Sequence, residues 1–236
     1  WAPRRRHCLG NRCPTRSFCA QNNARRYSRT PPTLNQNVMR FSIGLAATRP
    51  AFLSVTLVGV LLGLACAIHE QTLRSVSLAL ITLLFAVIGH AGANVINDYY
   101  DARNGCDAAN IDRIGPFTGG SRFIQDGVLT EQQTKHFGYI LLGTVIPAGI
   151  WLVTQSGLWL LWIGLIGLFS GWAYSAPPLK LQSRGLGEFA ITLAWFCIVV
   201  GSDYVQSQSL SETALYAGLA YAPLVANVLF VNQIPD

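Results

Sequence analysis

Four polar side chains stand close together where a long apolar run of this sequence ends, in the segment Asn94-Val-Ile-Asn97-Asp98-Tyr-Tyr-Asp101. The i, i+4, i+7 spacing of Asn94, Asp98 and Asp101 predicts that these three share one face of a helix. A charged side chain near the interior of a membrane is costly, so its default interpretation is functional. Oxygen ligands on one face suit Mg²⁺, which in turn binds diphosphates. The segment therefore predicts a magnesium site that holds a diphosphate.

Two later segments carry groups that such a site needs. The loop from Tyr174 to Lys180 contains an aromatic ring and an ammonium, and the chain ends on Asn232-Gln-Ile-Pro-Asp236, with another carboxylate. Lys180 either neutralises phosphate charge or extends its ammonium to the membrane surface as an anchor.

A Gly-rich segment, Thr118-Gly-Gly-Ser-Arg122, follows a polar stretch that contains Asp107. The Arg122 guanidinium either binds diphosphate or adds to the positive charge of an inner loop. The Asp107 carboxylate is either a phosphate contact or a solvated loop charge.

The elements that must position these groups are membrane-spanning helices. The 236 residues are 51% hydrophobic and 12% charged, with a mean hydropathy of +0.35. This profile is typical of a polytopic membrane protein and excludes a soluble globular enzyme. The predicted fold class is an all-α integral membrane protein with six transmembrane helices, at about 51–68, 75–96, 137–155, 157–174, 188–205 and 213–232.

The basic residues predict how the spans are oriented. If the N-terminus is cytoplasmic, the inner segments 1–50, 97–136 and 175–187 hold 16 of the 17 Lys and Arg residues, and the outer segments hold only Arg74. This distribution agrees with the positive-inside rule. We therefore expect the N-terminus and the site-bearing loops on the cytoplasmic side.

Residues 1–38 differ from the rest of the chain. They are rich in Arg, no acid occurs before Glu70, and the only methionine, Met39, directly precedes the first span. The segment is either an Arg-rich transit peptide or non-native translation upstream of Met39. We favour the second, because Pro31-Pro32 opposes an amphipathic helix. The predicted domain is 39–236, and nucleic acid is not an expected partner because the basic run has no binding motif.

Three segments, in order and spacing, resemble the UbiA superfamily of intramembrane prenyltransferases: NVINDYYDARNGCD, YSAPPLKLQSRGLGE and FVNQIPD. The resemblance covers about residues 40–236. The first Asp-rich motif of the superfamily is matched by Asn94, Asn97, Asp98 and Asp101. Its loop motif is matched by Tyr174 and Lys180, and its second Asp-rich motif begins at Asp236.

The resemblance implies an Mg²⁺-dependent transfer of a prenyl group from a polyprenyl diphosphate to an aromatic quinone precursor. It assigns catalytic roles to Asp98, Asp101, Tyr174 and Lys180. The metal would be held by Asp98, Asp101, Asn94 and Asp236. The diphosphate would be bound by Asn94, Asn97, Arg122 and Asp107.

One detail of the sequence narrows the choice of aromatic acceptor. Gly105, two residues before Asp107, resembles the menaquinone branch, which prenylates 1,4-dihydroxy-2-naphthoate. Other acceptors of the superfamily stay open: 4-hydroxybenzoate, homogentisate or a lipid alcohol. Members of the superfamily resemble nine-helix proteins, whereas this chain supplies six predicted spans. We therefore expect the chain to be C-terminally incomplete.

Two other interpretations belong to different functional classes. A transporter would place its charges at the bilayer midplane on broken helices, whereas these charges cluster at one membrane face. A catalytically inactive membrane fragment is expected if the second Asp-rich motif stops at Asp236. Among the remaining polar groups, His90 is predicted to be a hydrogen-bonded packing residue, Asp203 to be solvated, and Cys66 and Cys197 to be small apolar fillers.

Overall fold

The computed structural model describes residues 36–105 and 120–233. Residues 1–42 and 43–236 form two separate units. The described residues are α-helical apart from loops and one short 3₁₀ helix, Leu181–Arg184, and they contain no strand. The helices are α1 (Gln36–Ala47), α2 (Pro50–His69), α3 (Val76–Asn104), α4 (Glu131–Ser156), α5 (Trp159–Ser175), α6 (Gly187–Ser207) and α7 (Glu212–Gln233).

Each predicted span corresponds to one helix, from α2 to α7, which confirms the all-α class. Five of these helices, all except α5, are long and apolar enough to cross a membrane. The apolar helix α5 has 17 residues and is shorter than the other five. The described part of the chain is therefore consistent with an integral membrane protein, and the six-span count stays a prediction.

Helix α6 is the centre of the second unit. It packs against α2, α3, α4, α5 and α7, and it is the most deeply buried of the apolar helices. Its contact with α2 is close because Gly63 has no side chain: a Cβ there would lie 2.3 Å from the backbone oxygen of Val199. The small residue lets the two backbones approach, as at other helix interfaces in membranes.

Helix α3 carries the predicted Asp-rich segment in its last turns. It begins at Ser75, whose hydroxyl accepts a hydrogen bond from the backbone of Leu78, and it ends before Gly105, whose φ of 80° is left-handed. The asparagines and aspartates of the Asp-rich segment are therefore held on a continuous helix rather than in a loop. The predicted span ended at residue 96, and the structure extends the helix by two more turns because Gly105 is the first residue that stops it.

Helix α4 packs closely against α3 beside the Asp-rich segment. A Cβ at Gly138 would lie 2.7 Å from Cγ1 of Ile96 and 3.2 Å from its backbone nitrogen. The start of α4 is fixed by a capping box in which Thr130 and Gln133 satisfy each other's backbone donors. The register of α4 thus places a glycine directly against the turn that precedes Asn97.

The opposite end of the bundle holds polar side chains that are not at the candidate site. The amide of Gln206 accepts hydrogen bonds from the backbone nitrogens of Arg74 (3.0 Å) and Ser75 (2.9 Å) and donates one to the Ser75 carbonyl (3.1 Å). Asp203 is only 1% exposed, so the prediction that it is solvated is wrong. Because α6 is surrounded by helices, the Asp203 carboxylate lies inside the bundle, where Ser207 donates a hydrogen bond to it (3.3 Å).

Three other predictions about packing are confirmed. Cys66 and Cys197 are buried free thiols. His90 is hydrogen-bonded to Thr56 (2.8 Å), and its ring meets that of Trp195 edge to face, with centroids 4.8 Å apart.

Candidate functional site

The last turns of α3 place a group of polar side chains at one end of the bundle. Asn97 donates a hydrogen bond to Asp101 (2.8 Å) and another to the side-chain oxygen of Gln182 (3.2 Å). Gln182 in turn donates to the other oxygen of Asp101. The 3₁₀ helix is thereby tied to α3, and the Asp101 carboxylate is held by two amide groups.

Asp98 is buried, with 4% of its surface exposed. One of its oxygens accepts a hydrogen bond from the backbone nitrogen of Ser121 (3.2 Å), which belongs to the Gly-rich segment. Its other oxygen lies 3.6 Å from the guanidinium of Arg49 and accepts no hydrogen bond from the residues that the structure describes. This buried oxygen is paired with a charge but can still bind a further group.

Arg49 is held in place by its backbone and its surroundings. It stands just before Pro50, the first residue of α2, and its φ of 56° is left-handed. Its side chain is 18% exposed, and its guanidinium lies 5.8 Å from the centre of the Phe52 ring. Among the described residues, none forms a hydrogen bond with its Nε. The arginine thus brings a largely buried positive charge to the Asp98 carboxylate.

Lys180 lies at the same end of the bundle. Its ammonium donates a hydrogen bond to the side chain of Asn104 (2.7 Å), so the loop after α5 is attached to the last residue of α3. Tyr174 lies in the last turn of α5, and its ring packs on the start of α6, where a Cβ on Gly187 would lie 3.2 Å from ring atom Cε2. The loop motif and the Asp-rich motif therefore meet, although they are about 80 residues apart.

Two predicted residues have different surroundings. Asn94 donates a hydrogen bond to the backbone oxygen of Thr48 (3.0 Å). The Asn94 amide is thereby connected to the junction before α2. Arg122 is half-buried, with a left-handed φ of 57°. Asp107 and Asp236 lie outside the described residues.

An apolar cavity of about 300 Å³ begins one turn below this polar end. It is lined by α3, α4, α5 and α6, and the lining includes His90, Ala93, which lies one turn before Asn97, and Gly171, which lies one turn before Tyr174. Apolar pockets with a few polar groups at one end are typical of sites for small amphiphilic ligands. The arrangement can hold a charged group at the Asp98 end and a hydrocarbon chain behind it.

The carboxylates at this end of the bundle determine whether a hard cation can bind there. Among the residues that the structure describes, no three His, Cys, Asp or Glu side chains converge on one point. The two carboxylates of Asp98 and Asp101 nevertheless fit Mg²⁺, which takes one or two protein carboxylates and fills its other positions with phosphate oxygens and water. The unused, buried oxygen of Asp98 supports this fit.

Sequence reasoning missed three contributors to the site: Arg49, Gln182 and the backbone of Ser121. Arg49 could have been noticed as a cation directly before the first span. Gln182 lies inside one of the quoted motif segments, but an uncharged amide carries no signal of its own. The Ser121 contact is made by a backbone nitrogen, which no sequence pattern identifies.

Comparisons with known proteins identify the family of the chain. Residues 51–236 match the UbiA prenyltransferase family. The chain is 30% identical over 205 residues to UbiA prenyltransferase domain-containing protein 1 of Dictyostelium discoideum, covering 81% of this chain and 58% of that protein. It is 26% identical over 191 residues to 1,4-dihydroxy-2-naphthoate octaprenyltransferase of Bacillus subtilis, covering 80% and 59%.

A third relative is 2-carboxy-1,4-naphthoquinone phytyltransferase of Synechocystis, 26% identical over 196 residues, with coverage of 80% of this chain and 59% of that protein. The chain spans a little over half the length of the curated relatives it matches. No solved structure matches it significantly. Since the family match covers more than three quarters of the sequence, the chain belongs to the UbiA prenyltransferase family.

Proposed function

We propose that this protein transfers a prenyl group from a polyprenyl diphosphate to an aromatic quinone precursor, 1,4-dihydroxy-2-naphthoate, in an Mg²⁺-dependent reaction within the membrane. The observation that carries the proposal is the buried Asp98, one of whose oxygens accepts no hydrogen bond from the described residues, close to an apolar cavity. The acceptor is inferred from the names of the Bacillus and Synechocystis relatives, both of which refer to a naphthalene ring.

Asp98 and Asp101 would hold the metal, together with Asn94 and, in the second Asp-rich motif, Asp236. When bound, Mg²⁺ neutralises and polarises the diphosphate leaving group. The cations of Arg49, Lys180 and Arg122 would bind the remaining phosphate charge, with Asn97 and Asp107 beside them. The Arg49 guanidinium lies 3.6 Å from the Asp98 carboxylate.

The reaction breaks the bond between the prenyl carbon and the diphosphate oxygen and leaves an allylic cation. A ring carbon of the acceptor then forms the new carbon–carbon bond, and a proton or carbon dioxide leaves the ring. The face of the Tyr174 ring would stabilise the cation by about 2 kcal/mol where water is absent. The apolar cavity would keep water away from the cation until the acceptor reacts.

The membrane topology completes the proposal. We assign six spans, with the N-terminus, the Asp98 end and the Lys180 loop on the cytoplasmic side. Helix α5, at 17 residues, would span about 26 Å and can cross a bilayer that is locally thin. The proposed location gives the site access to a water-soluble acceptor from one side and to a prenyl lipid from the bilayer.

The test uses the full-length gene product in membrane vesicles, with a labelled prenyl diphosphate and 1,4-dihydroxy-2-naphthoate. We expect a prenylated naphthalene product by mass spectrometry, its loss on adding EDTA, and its return with excess Mg²⁺. Product formation that persists in EDTA would contradict the role of the metal. If 4-hydroxybenzoate or homogentisate reacts instead, the acceptor is wrong and the reaction class stands; no product with any acceptor would contradict the whole proposal.

A further inference from the structure

Arg49 and Asp98 face each other without forming a hydrogen bond. Nη2 of Arg49 lies 3.6 Å from Oδ1 of Asp98, which is longer than a charge-assisted hydrogen bond of about 2.7–2.9 Å. Within the part of the chain that the structure describes, this oxygen and the Arg49 Nε are buried atoms without a hydrogen-bond partner. A ligand therefore reaches the Asp98 oxygen only when the guanidinium moves away from it.

The backbone at Arg49 is held in a conformation that its sequence does not favour. Its φ of 56° and ψ of 66° are left-handed, whereas a residue that precedes proline favours an extended backbone. The Arg49 nitrogen donates to the Ala46 carbonyl (3.1 Å), and the Phe52 nitrogen donates to the Arg49 carbonyl (3.0 Å). The side chain of Asn94 anchors the same junction to α3 through the Thr48 carbonyl (3.0 Å). An unfavourable backbone that its surroundings maintain is typical of functional positions.

The side chain of Arg49 is held less firmly than its backbone. The side chain is 18% exposed, and its two contacts are the long ion pair with Asp98 and the stacking of the guanidinium 5.8 Å from the centre of the Phe52 ring. Both contacts are weaker than the paired hydrogen bonds that a guanidinium forms with a carboxylate or a phosphate. The charged end of Arg49 can therefore change its partner while its backbone stays in place.

Electrostatics determine which ligand can take that oxygen. A divalent cation that binds the Asp98 oxygen alone would face the guanidinium well within the screening distance of about 8 Å. Because the site is largely buried, the two positive charges repel each other more strongly than in water. A diphosphate supplies negative oxygens, to which a guanidinium binds in a paired geometry. Arg49 therefore opposes a cation alone and favours a cation that comes with a diphosphate.

Resting on the proposed function, we infer that Arg49 occupies Asp98 until the diphosphate binds, and so makes the binding of the cation and of the diphosphate mutually dependent. Without the diphosphate, the guanidinium competes with the cation for the Asp98 oxygen. With it, the guanidinium moves to the diphosphate and leaves the oxygen to the cation. The dependence is reciprocal, since each ligand must change the affinity of the other by the same factor.

The first experiment measures Mn²⁺ binding to the full-length protein in detergent by electron paramagnetic resonance, with no diphosphate present. Arg49→Met removes the charge and keeps an unbranched side chain beside Phe52. We expect Arg49→Met to bind Mn²⁺ about tenfold more tightly than the unchanged protein, because the competing cation is gone. A merely structural role of Arg49 predicts weaker binding instead. Unchanged or weaker Mn²⁺ binding in this variant would overturn the inference.

Two controls separate the position of the charge from the charge itself. Arg49→Lys keeps a cation at the same position and should bind Mn²⁺ as weakly as the unchanged protein. Arg103→Met removes an exposed cation at the same end of α3, one that donates to the Tyr99 hydroxyl (2.9 Å), and should leave Mn²⁺ binding nearly unchanged. A gain in either control as large as that in Arg49→Met would overturn the role assigned to Arg49.

A second replacement covers the case in which Arg49→Met does not fold. Arg49→Gly also removes the charge, and glycine adopts a left-handed φ without strain. We expect Arg49→Gly to show the same gain in Mn²⁺ affinity. A folded Arg49→Gly variant without that gain would contradict the competition between Arg49 and the cation.

The second experiment measures the binding of labelled geranyl diphosphate with and without Mn²⁺, in the absence of any acceptor. Mn²⁺ should strengthen this binding in the unchanged protein, and the factor of strengthening should be about tenfold smaller in Arg49→Met. Because Mn²⁺ also binds the diphosphate in solution, both proteins are compared at the same concentrations. An equal factor in the two proteins would show that Arg49 does not couple the ligands.

Turnover distinguishes this inference from the proposed function. EDTA-sensitive prenyl transfer by the unchanged protein, with no gain of Mn²⁺ affinity in Arg49→Met, would overturn the inference and leave the proposed function standing. A gain of Mn²⁺ affinity and a smaller coupling factor, without product from any acceptor, would support the inference and contradict the proposed function.

Discussion

Each end of the helical bundle buries an aspartate, but the two carboxylates have different surroundings. Asp98 lies beside a cation and a backbone donor, and one of its oxygens accepts no hydrogen bond from the described residues. Asp203 is even more deeply buried, and the hydroxyl of Ser207 donates a hydrogen bond to it. Asp203 also has an oxygen without a hydrogen bond within the part of the chain that the structure describes. Burial and an unused oxygen therefore do not by themselves indicate a site.

The two ends of the bundle differ in whether polar side chains from several elements converge on one place. At the Asp98 end, side chains from α3, the 3₁₀ helix and the junction before α2 meet, and two amides hold Asp101 between them. At the Asp203 end, the amide of Gln206 satisfies backbone groups of the loop before α3, and Arg74 donates to the carbonyl of Gln155 (2.8 Å). The first end presents groups to a ligand, whereas the second connects loops to one another.

The largest effect is expected from removing the Asp98 carboxylate. Asp98→Ala should lower the rate of prenyl transfer by about 10³-fold or more, because it removes a metal-binding group at the leaving diphosphate. The variant should still insert into membranes. Asp203→Asn is the matched control at the other end and should retain nearly full activity; an equal loss in both variants would erase the functional difference between the ends. Rates are measured with labelled diphosphate in vesicles.

A second difference between the two ends is how well each accommodates an added side-chain carbon at a buried glycine. Gly63→Ala should lower the free energy of unfolding by about 3 kcal/mol, because the added Cβ would lie 2.3 Å from a backbone oxygen that cannot move aside. Gly138→Ala meets mainly the side chain of Ile96 and should cost only about 1 kcal/mol. Thermal unfolding in detergent measures both. Equal losses of unfolding free energy in the two variants would show that the Asp98 end of the bundle is packed as rigidly as the Asp203 end.

The connecting role of Gln206 gives a third prediction. Gln206→Ala leaves two backbone donors and one carbonyl without their partner and should reduce stability by about 2 kcal/mol. The turnover number of the folded fraction should not change. A fall in turnover with unchanged thermal stability would place a function at this end of the bundle.

The smallest predicted effect concerns Gln182, the corresponding amide at the Asp98 end. Gln182→Ala should weaken divalent metal binding about tenfold, because Asp101 loses a group that orients it. Its thermal stability without metal should stay close to that of the unchanged protein. Titration with Mn²⁺, followed by electron paramagnetic resonance, measures the affinity. Unchanged Mn²⁺ affinity would mean that Gln182 does not position Asp101.

The helices were predictable from the sequence because membrane spans need long apolar runs, and such runs are visible without any tertiary information. The helical spacing of Asn94, Asp98 and Asp101 was predictable for the same reason, since it depends only on the 3.6-residue turn. Asp203 was misjudged because its burial depends on which neighbours surround α6. A position near the end of an apolar run does not reveal whether it faces water or another helix.

The sequence by itself determined the fold class, the family and the Asp98–Asp101 face of α3, because these follow from local composition and from motifs. Only the tertiary structure decided that Arg49 reaches Asp98, that Gln182 reaches Asp101, and that an apolar cavity lies between α3, α4, α5 and α6. Each of these depends on contacts between residues that are distant along the chain. The packing of several helices around α6 determines them, and no local pattern encodes that packing.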